Sequence, residues 1–124
     1  MELKPLNEIE IISATSSKIN EVDFENLTFG NIFTDHMLVC DCKDGVWQKP
    51  VIEPYAPFLI DPSSKVFHYG QAIFEGMKAY KNAQDEVWLF RPDENFNRFN
   101  KSAKRMAMPI VPEEVFLGGL QKLL

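Results

Sequence analysis

The sequence predicts an α+β chain, with an antiparallel β-sheet first and helices flanking and following it. Three observations carry this. β-Capable runs joined by hairpin-length turns fill residues 30–90, the apolar period changes to that of a helix from Pro92 onward, and no strand–helix–strand alternation of the kind a parallel sheet requires is present. The 124 residues suit one domain able to bury a core without metals or disulfides. Residues 1–25 read partly as an arm or loop, because residues 13–18 are small and polar.

The elements follow in order. Residues 32–42 and 46–53 are two strand-like runs around Lys43, Asp44 and Gly45, and Asp-Gly is a strong hairpin signal. Pro54 and Pro57 break the next stretch, which leaves Phe58, Leu59 and Ile60 as a short or edge strand. Residues 61–64 read as a turn. Residues 77–81 and 87–90 form a second hairpin candidate. From Pro92 to Met108 the spacing of Phe96, Phe99, Ala103 and Met106 predicts a helix, opened by Pro92, Asp93 and Glu94 and ended by Pro109. Pro112, Glu113 and Glu114 open a last helix, whose apolar positions run to Leu124 without a cap. That ending predicts a chain that stops short of a complete protein.

Composition narrows the function classes. With 13 basic and 18 acidic residues the net charge is −5, which argues against a broad nucleic-acid surface. No apolar run approaches the roughly 18 residues of a membrane span, and residues 1–10 lack the layout of a signal peptide. Two cysteines alone exclude a secreted disulfide scaffold, so a cytoplasmic location is expected.

Three groups of residues deserve weighing for chemistry. On a strand spanning residues 34–42, His36, Leu38, Cys40 and Cys42 would share a face, but they lack ordinary zinc-ligand spacing; apolar packing of the cysteines is the commoner state, and no metal is expected. In residues 68–76 two glycines bracket a short apolar piece containing Phe74 and Glu75. That pattern fits either a tight turn with core aromatics, which composition favours, or the edge of an apolar pocket. Arg91, Arg98, Lys101, Lys104 and Arg105 form a basic strip on the helix. Such strips are mostly solvated, but Arg98 lies between Phe96 and Phe99, and an Arg near a buried face needs an anionic partner, carboxylate or phosphate. No phosphate-binding glycine loop occurs.

Taken together, Phe29-Gly30 with Thr34-Asp35-His36-Met37, the block from His68 to Tyr80, Leu89-Phe90-Arg91-Pro92, and Asn95-Phe96-Asn97-Arg98 with Ser102-Ala103 resemble the branched-chain amino acid aminotransferases, fold-type IV enzymes dependent on pyridoxal 5′-phosphate. The likeness covers roughly residues 26–124. Phe-Glu-Gly alone is shared with D-amino acid aminotransferases and aminodeoxychorismate lyases, so a relative of that kind is the alternative; a non-catalytic binding module is the rival of a different class. The resemblance implies that residues 1–124 are the small N-terminal domain. It implies that Arg98 binds the cofactor phosphate, and that Phe29, Tyr69 and Phe74 line the pocket for the branched side chain. A homodimer, amino acid and 2-oxo acid substrates, and pyridoxal 5′-phosphate in the full-length enzyme are implied as well. The family's Schiff-base lysine lies in a C-terminal domain absent from these 124 residues. Lys78 does not take that role, no catalytic residue is assigned, and the chain alone is expected to be inactive and to hold little cofactor.

Overall fold

The computed structural model describes residues 9–124, and the expectations for residues 1–8 lie outside the described residues. The described chain divides into two compact units, residues 9–58 and residues 59–122. Both are built from short elements, and together they are α+β.

In the first unit three strands order as β1 (Glu10–Ile11), β5 (Val51–Pro54) and β2 (His36–Val39), with β5 in the centre. β2 is antiparallel to β5, pairing Leu38 with Ile52, whereas β1 runs parallel to β5 and pairs Ile11 with the same residue. The sheet is therefore mixed rather than antiparallel throughout. Ile52 receives a strand on each side and is only 3% exposed. A separate ribbon joins β3 (Cys42–Lys43) to β4 (Val46–Trp47). Its turn is Asp44–Gly45, with φ of 52° and 77°, the paired positive values that a two-residue hairpin needs and that this dipeptide tolerates.

The long strands expected over residues 32–42 and 46–53 are each split in two. Pro50 has no N–H for a ladder, so the second run breaks between Trp47 and Val51. The first run breaks opposite it, where the Asp41 carbonyl accepts from the Gln48 N–H at 2.8 Å. Cys40 therefore lies outside any strand, and the single face expected for His36, Leu38, Cys40 and Cys42 does not form. The polar stretch 13–18 is a loop, as expected, but it is tied down. Asp35 accepts from Ser17 Oγ at 2.6 Å and from the Lys18 N–H at 3.0 Å, and His36 Nε2 accepts from the Ala14 N–H at 2.9 Å. Those contacts hold the Asp35 carboxyl below its ordinary pKa, the Ser17 hydroxyl contributing most.

Phe58, at the end of the first unit, and Leu59 and Ile60, at the start of the second, pair with no strand among the described residues. Pro54 and Pro57, which have no N–H to offer a ladder, lead directly into the segment. The turn that follows is made by Asp61, whose Oδ1 accepts from the Ser63 N–H at 2.7 Å. A single helical turn, α1 (Lys65–Tyr69), comes next. Its β-branched and aromatic residues have low helix propensity, which hid it from sequence reasoning. The second hairpin is β6 (Ala79–Lys81) with β7 (Val87–Leu89). Asn82 closes its loop by accepting from the Gln84 and Glu86 N–H groups, each at 2.9 Å, while Asp85 takes φ of 64°.

The main helix, α2 (Pro92–Arg105), starts at the expected proline and ends earlier than expected. Pro109 does not stop it. Ala107 turns left-handed at φ of 53°, the Ala107 N–H reaches the Lys104 carbonyl at 3.3 Å and the Met108 N–H reaches the Ala103 carbonyl at 2.9 Å, a Schellman closure with alanine where glycine is usual. The predicted apolar stripe is real: Ala103 is wholly buried, and Phe96 and Phe99 pack on Phe116 with ring centroids 5.7 and 5.2 Å apart. Phe116 belongs to a π-helical turn, Glu114–Gly118, that leads into α3 (Gly119–Leu123). The Val115 and Phe116 N–H groups share the Pro112 carbonyl, both at 3.1 Å.

Ala107→Gly is expected to stabilise the chain by about 0.5–1 kcal/mol, because a Cβ is unfavourable in the left-handed region and the gain exceeds the extra chain entropy of glycine. Thermal unfolding should register a rise of about 2–5 °C.

Candidate functional site

The second unit gathers the polar residues of interest around α2. After α1 the chain reverses at Gly70, which sits at φ of 58° with open space where a Cβ would be. Here the sharp turn expected of the bracketing glycines is present; Gly76 does not take a positive φ. The turn sends residues 71–78 along α2 without regular structure, and side-chain hydrogen bonds fasten this run to the helix. Gln71 Nε2 donates to the Met106 carbonyl at 2.8 Å. Asn95 Nδ2 donates to the Gly76 carbonyl and to Glu75 Oε1, both at 3.1 Å. On another face of α2, Asn100 pairs in both directions with the Val111 backbone, each bond 2.9 Å long.

Glu75 is the centre of this arrangement. Arg98 donates from Nε to Glu75 Oε2 at 2.8 Å and from Nη2 to Oε1. The carboxylate also accepts from the Gly76 N–H at 3.1 Å. Its side chain is 5% exposed, whereas that of Arg98 is 68% exposed. The pair is thus asymmetric, with a covered anion and an open cation. The Arg98 hydrogen bonds, reinforced by Asn95 and Gly76 and opposed by burial, bring the Glu75 pKa from 4.5 to about 2. The same contact raises that of Arg98.

The anionic partner that the sequence requires for Arg98 is, within this chain, a carboxylate. Sequence reasoning singled out Arg98 but missed Glu75 and Asn95. The signal available was an acid inside the apolar run Ile73-Phe74-Glu75-Gly76-Met77, where a carboxylate needs a cation. Tyr69 and Phe74 lie in the same unit, their rings in solvent at 81% and 91% exposure. Neither is a core aromatic. Phe74 lines a shallow groove of about 470 Å³ with Ile73, Lys101, Ser102 and Arg105. Phe29 belongs to the other unit, where it is fully exposed and borders an open apolar hollow with Phe24, Leu27, Ile32 and Phe33.

Elsewhere the chemistry is modest. Cys40 Sγ donates to the Gln48 carbonyl at 3.2 Å, and burial pushes the thiol pKa up, with Asp41 adding to the effect. This is the opposite of what a reactive thiol needs. Among the described residues no three His, Cys, Asp or Glu side chains gather as a metal set. Lys78 Nζ stands 5.5 Å from the centroid of the Tyr80 ring, a cation–π contact. Among the described residues no helix is long and apolar enough to cross a membrane.

Against known proteins, the chain is 53% identical over 102 residues to branched-chain-amino-acid transaminase 1 of Bacillus subtilis, covering 82% of this chain. It is 46% identical over 113 residues to branched-chain-amino-acid aminotransferase 2 of the same organism, covering 90% of this chain. The cytosolic branched-chain-amino-acid aminotransferase of Saccharomyces cerevisiae is 39% identical along the whole chain. The chain belongs to the branched-chain amino acid aminotransferases. No protein-family model matches it. It spans 29%, 31% and 34% of the lengths of these three relatives. The Glu75–Arg98 pair therefore lies in an aminotransferase chain.

In this aminotransferase chain the depressed pKa of Glu75 has a defined linkage sign. The folded value lies below the ordinary one, so the pairing contributes fully above about pH 4.5 and is lost as pH falls toward about 2. Glu75→Gln should remove that component. The difference in unfolding free energy between wild type and variant is expected to be constant above pH 5 and to shrink progressively below it. A difference that grows on acidification would contradict this assignment.

Proposed function

We propose that this chain supplies the phosphate anchor and part of the substrate wall of a branched-chain aminotransferase. The enzyme would exchange the amino group between leucine, isoleucine or valine and 2-oxoglutarate with pyridoxal 5′-phosphate as cofactor. The observation that carries this reading is the state of Arg98: one edge of its guanidinium is held by Glu75 and the rest is open to solvent. A planar guanidinium suits a phosphate because it presents parallel N–H donors, and the donors left over on Arg98 fit that role. When bound, the cofactor supplies the carbonyl that carries the amino group and the ring that takes up electrons.

The chain's own residues then bind and exclude water. Arg98 would hold the phosphate, while Tyr69, Phe74 and Phe29 would offer aromatic surface to the branched side chain. An apolar wall of this kind recognises aliphatic groups by burial. All three rings are exposed in the 124-residue chain, so this reading includes a further covering surface, and a homodimer is the form proposed. A cytoplasmic location belongs to the same reading and rests on composition.

Lys78, engaged with Tyr80, is not assigned to the cofactor, and the 124-residue chain alone is expected to give no turnover. Measurable conversion of leucine with 2-oxoglutarate by the purified chain would overturn that part. In the intact enzyme Arg98→Ala is expected to weaken retention of pyridoxal 5′-phosphate by on the order of tenfold or more, the usual consequence of losing a charge-assisted hydrogen bond, with little change in substrate preference. Phe74→Ala should do the reverse, raising KM for leucine by on the order of tenfold while cofactor affinity is kept. If both variants lost stability alone, the site reading would fail.

A further inference from the structure

Glu75 asks for an explanation beyond packing. A carboxylate only 5% exposed is costly unless fully paired, and this one has Arg98, Asn95 and the Gly76 N–H around it. A neutral side chain of the same shape would fasten residues 75 and 76 to α2 with less desolvation. A lysine at position 98 would neutralise the charge as well as an arginine does. What the acid and the arginine achieve together, and those substitutes would not, is a fixed orientation of a flat group.

The geometry shows which edge is fixed. Glu75 takes Nε and Nη2, the side-on fork of the guanidinium. The end-on edge, made of Nη1 and the second N–H of Nη2, meets no acceptor given by a contact among the described residues, and the side chain is 68% exposed. Arg98, Lys101, Ser102 and Arg105 follow at helical spacing along one side of α2, and the last three line the groove with Ile73 and Phe74. A free arginine samples many rotamers and loses that freedom on binding an anion. An arginine already gripped by a covered carboxylate has lost it beforehand.

We infer that Glu75 is a positioning residue for Arg98: it grips the side-on edge of the guanidinium and so presents the end-on edge, preoriented, to the cofactor phosphate. The inference rests on the reading of Arg98 as phosphate anchor. It carries an electrostatic cost, because the Glu75–Arg98 pair is formally neutral and attracts a phosphate dianion less than a lone Arg would. Positioning and counter-charge therefore predict effects of opposite sign, and that makes them separable.

The test uses the complete enzyme freed of cofactor and titrated with pyridoxal 5′-phosphate and with pyridoxal, which lacks the phosphate. The quantity read is the ratio of the two affinities. Partial unfolding lowers both alike and leaves the ratio unchanged. Glu75→Gln is expected to reduce the ratio by about tenfold, the effect of misplacing one charge-assisted contact. In the Arg98→Ala background the same substitution should lower the ratio no further, because no guanidinium remains to be positioned. Arg98→Lys, which keeps the charge but has no second edge, should lose nearly as much of the ratio as Arg98→Ala. A higher ratio in Glu75→Gln would make Glu75 a competing counter-charge, and an unchanged ratio would make it a structural tie; either overturns the inference. So would an Arg98→Lys enzyme with the wild-type ratio, the deciding variant if Glu75→Gln does not fold. If Arg98→Ala itself leaves the ratio intact, it is the phosphate reading that fails.

Discussion

A carboxylate withdrawn from water must find enough donors to replace its hydration, and at Glu75 most of those donors come from one side of α2. That requirement fixes where the helix lies against residues 70–77. Asn95 and Arg98 are three residues apart, so a single turn of helix supplies both. Once that turn is registered, the Gln71 bond to the Met106 carbonyl and the Asn100 bonds to Val111 fall further along the same helix. Apolar burial supports this arrangement without dictating it. Ala103 and Val115 are buried and Phe116 packs on Phe96 and Phe99, a small interior that many slightly shifted helices could form. Directional polar contacts select one of them.

The other unit solves a similar problem with neutral partners. Ile52 lies where two strands meet the central one, and it is the only buried apolar residue of that unit among the described residues. The loop of residues 13–18, after β1, is seated by Asp35 and His36, which accept hydrogen bonds from the Ala14 and Lys18 backbone and from the Ser17 hydroxyl. Short polar side chains that satisfy exposed backbone N–H groups do for this loop what a ladder does for a strand. The same Thr34-Asp35-His36-Met37 run that carried part of the family resemblance thus has a structural task of its own.

Much of the fold was legible because its signals are local. Asp44–Gly45 adopts the conformation that this dipeptide favours, and Pro92 opens a helix because it needs no N–H partner there. The Phe96, Phe99, Ala103 stripe follows from helical spacing alone. The misses are places where contacts distant in sequence decided. The broken strands around Cys40 and Pro50 depend on which residues face each other, the parallel addition of β1 depends on a partner some 40 residues away, and α2 ends through Ala107 rather than Pro109 because backbone groups of the last turn found their own closure. At the site, Arg98 was conspicuous as a cation near an apolar face, whereas Glu75 looked like one more residue of a turn.

By itself, the sequence determined that the chain mixes sheet and helix, where its turns and its principal helix begin, which residue on that helix demands an anion, and to which enzyme family the motifs point. Those properties depend on residues a few positions apart, whose geometry the backbone already imposes. Only the tertiary structure decided that the anion within this chain is Glu75, which edge of Arg98 it occupies and which it leaves open. Residues 75 and 98 are brought together by the Gly70 turn and the docking of α2, and nothing in the spacing of their names along the chain encodes the angle at which two planar groups meet.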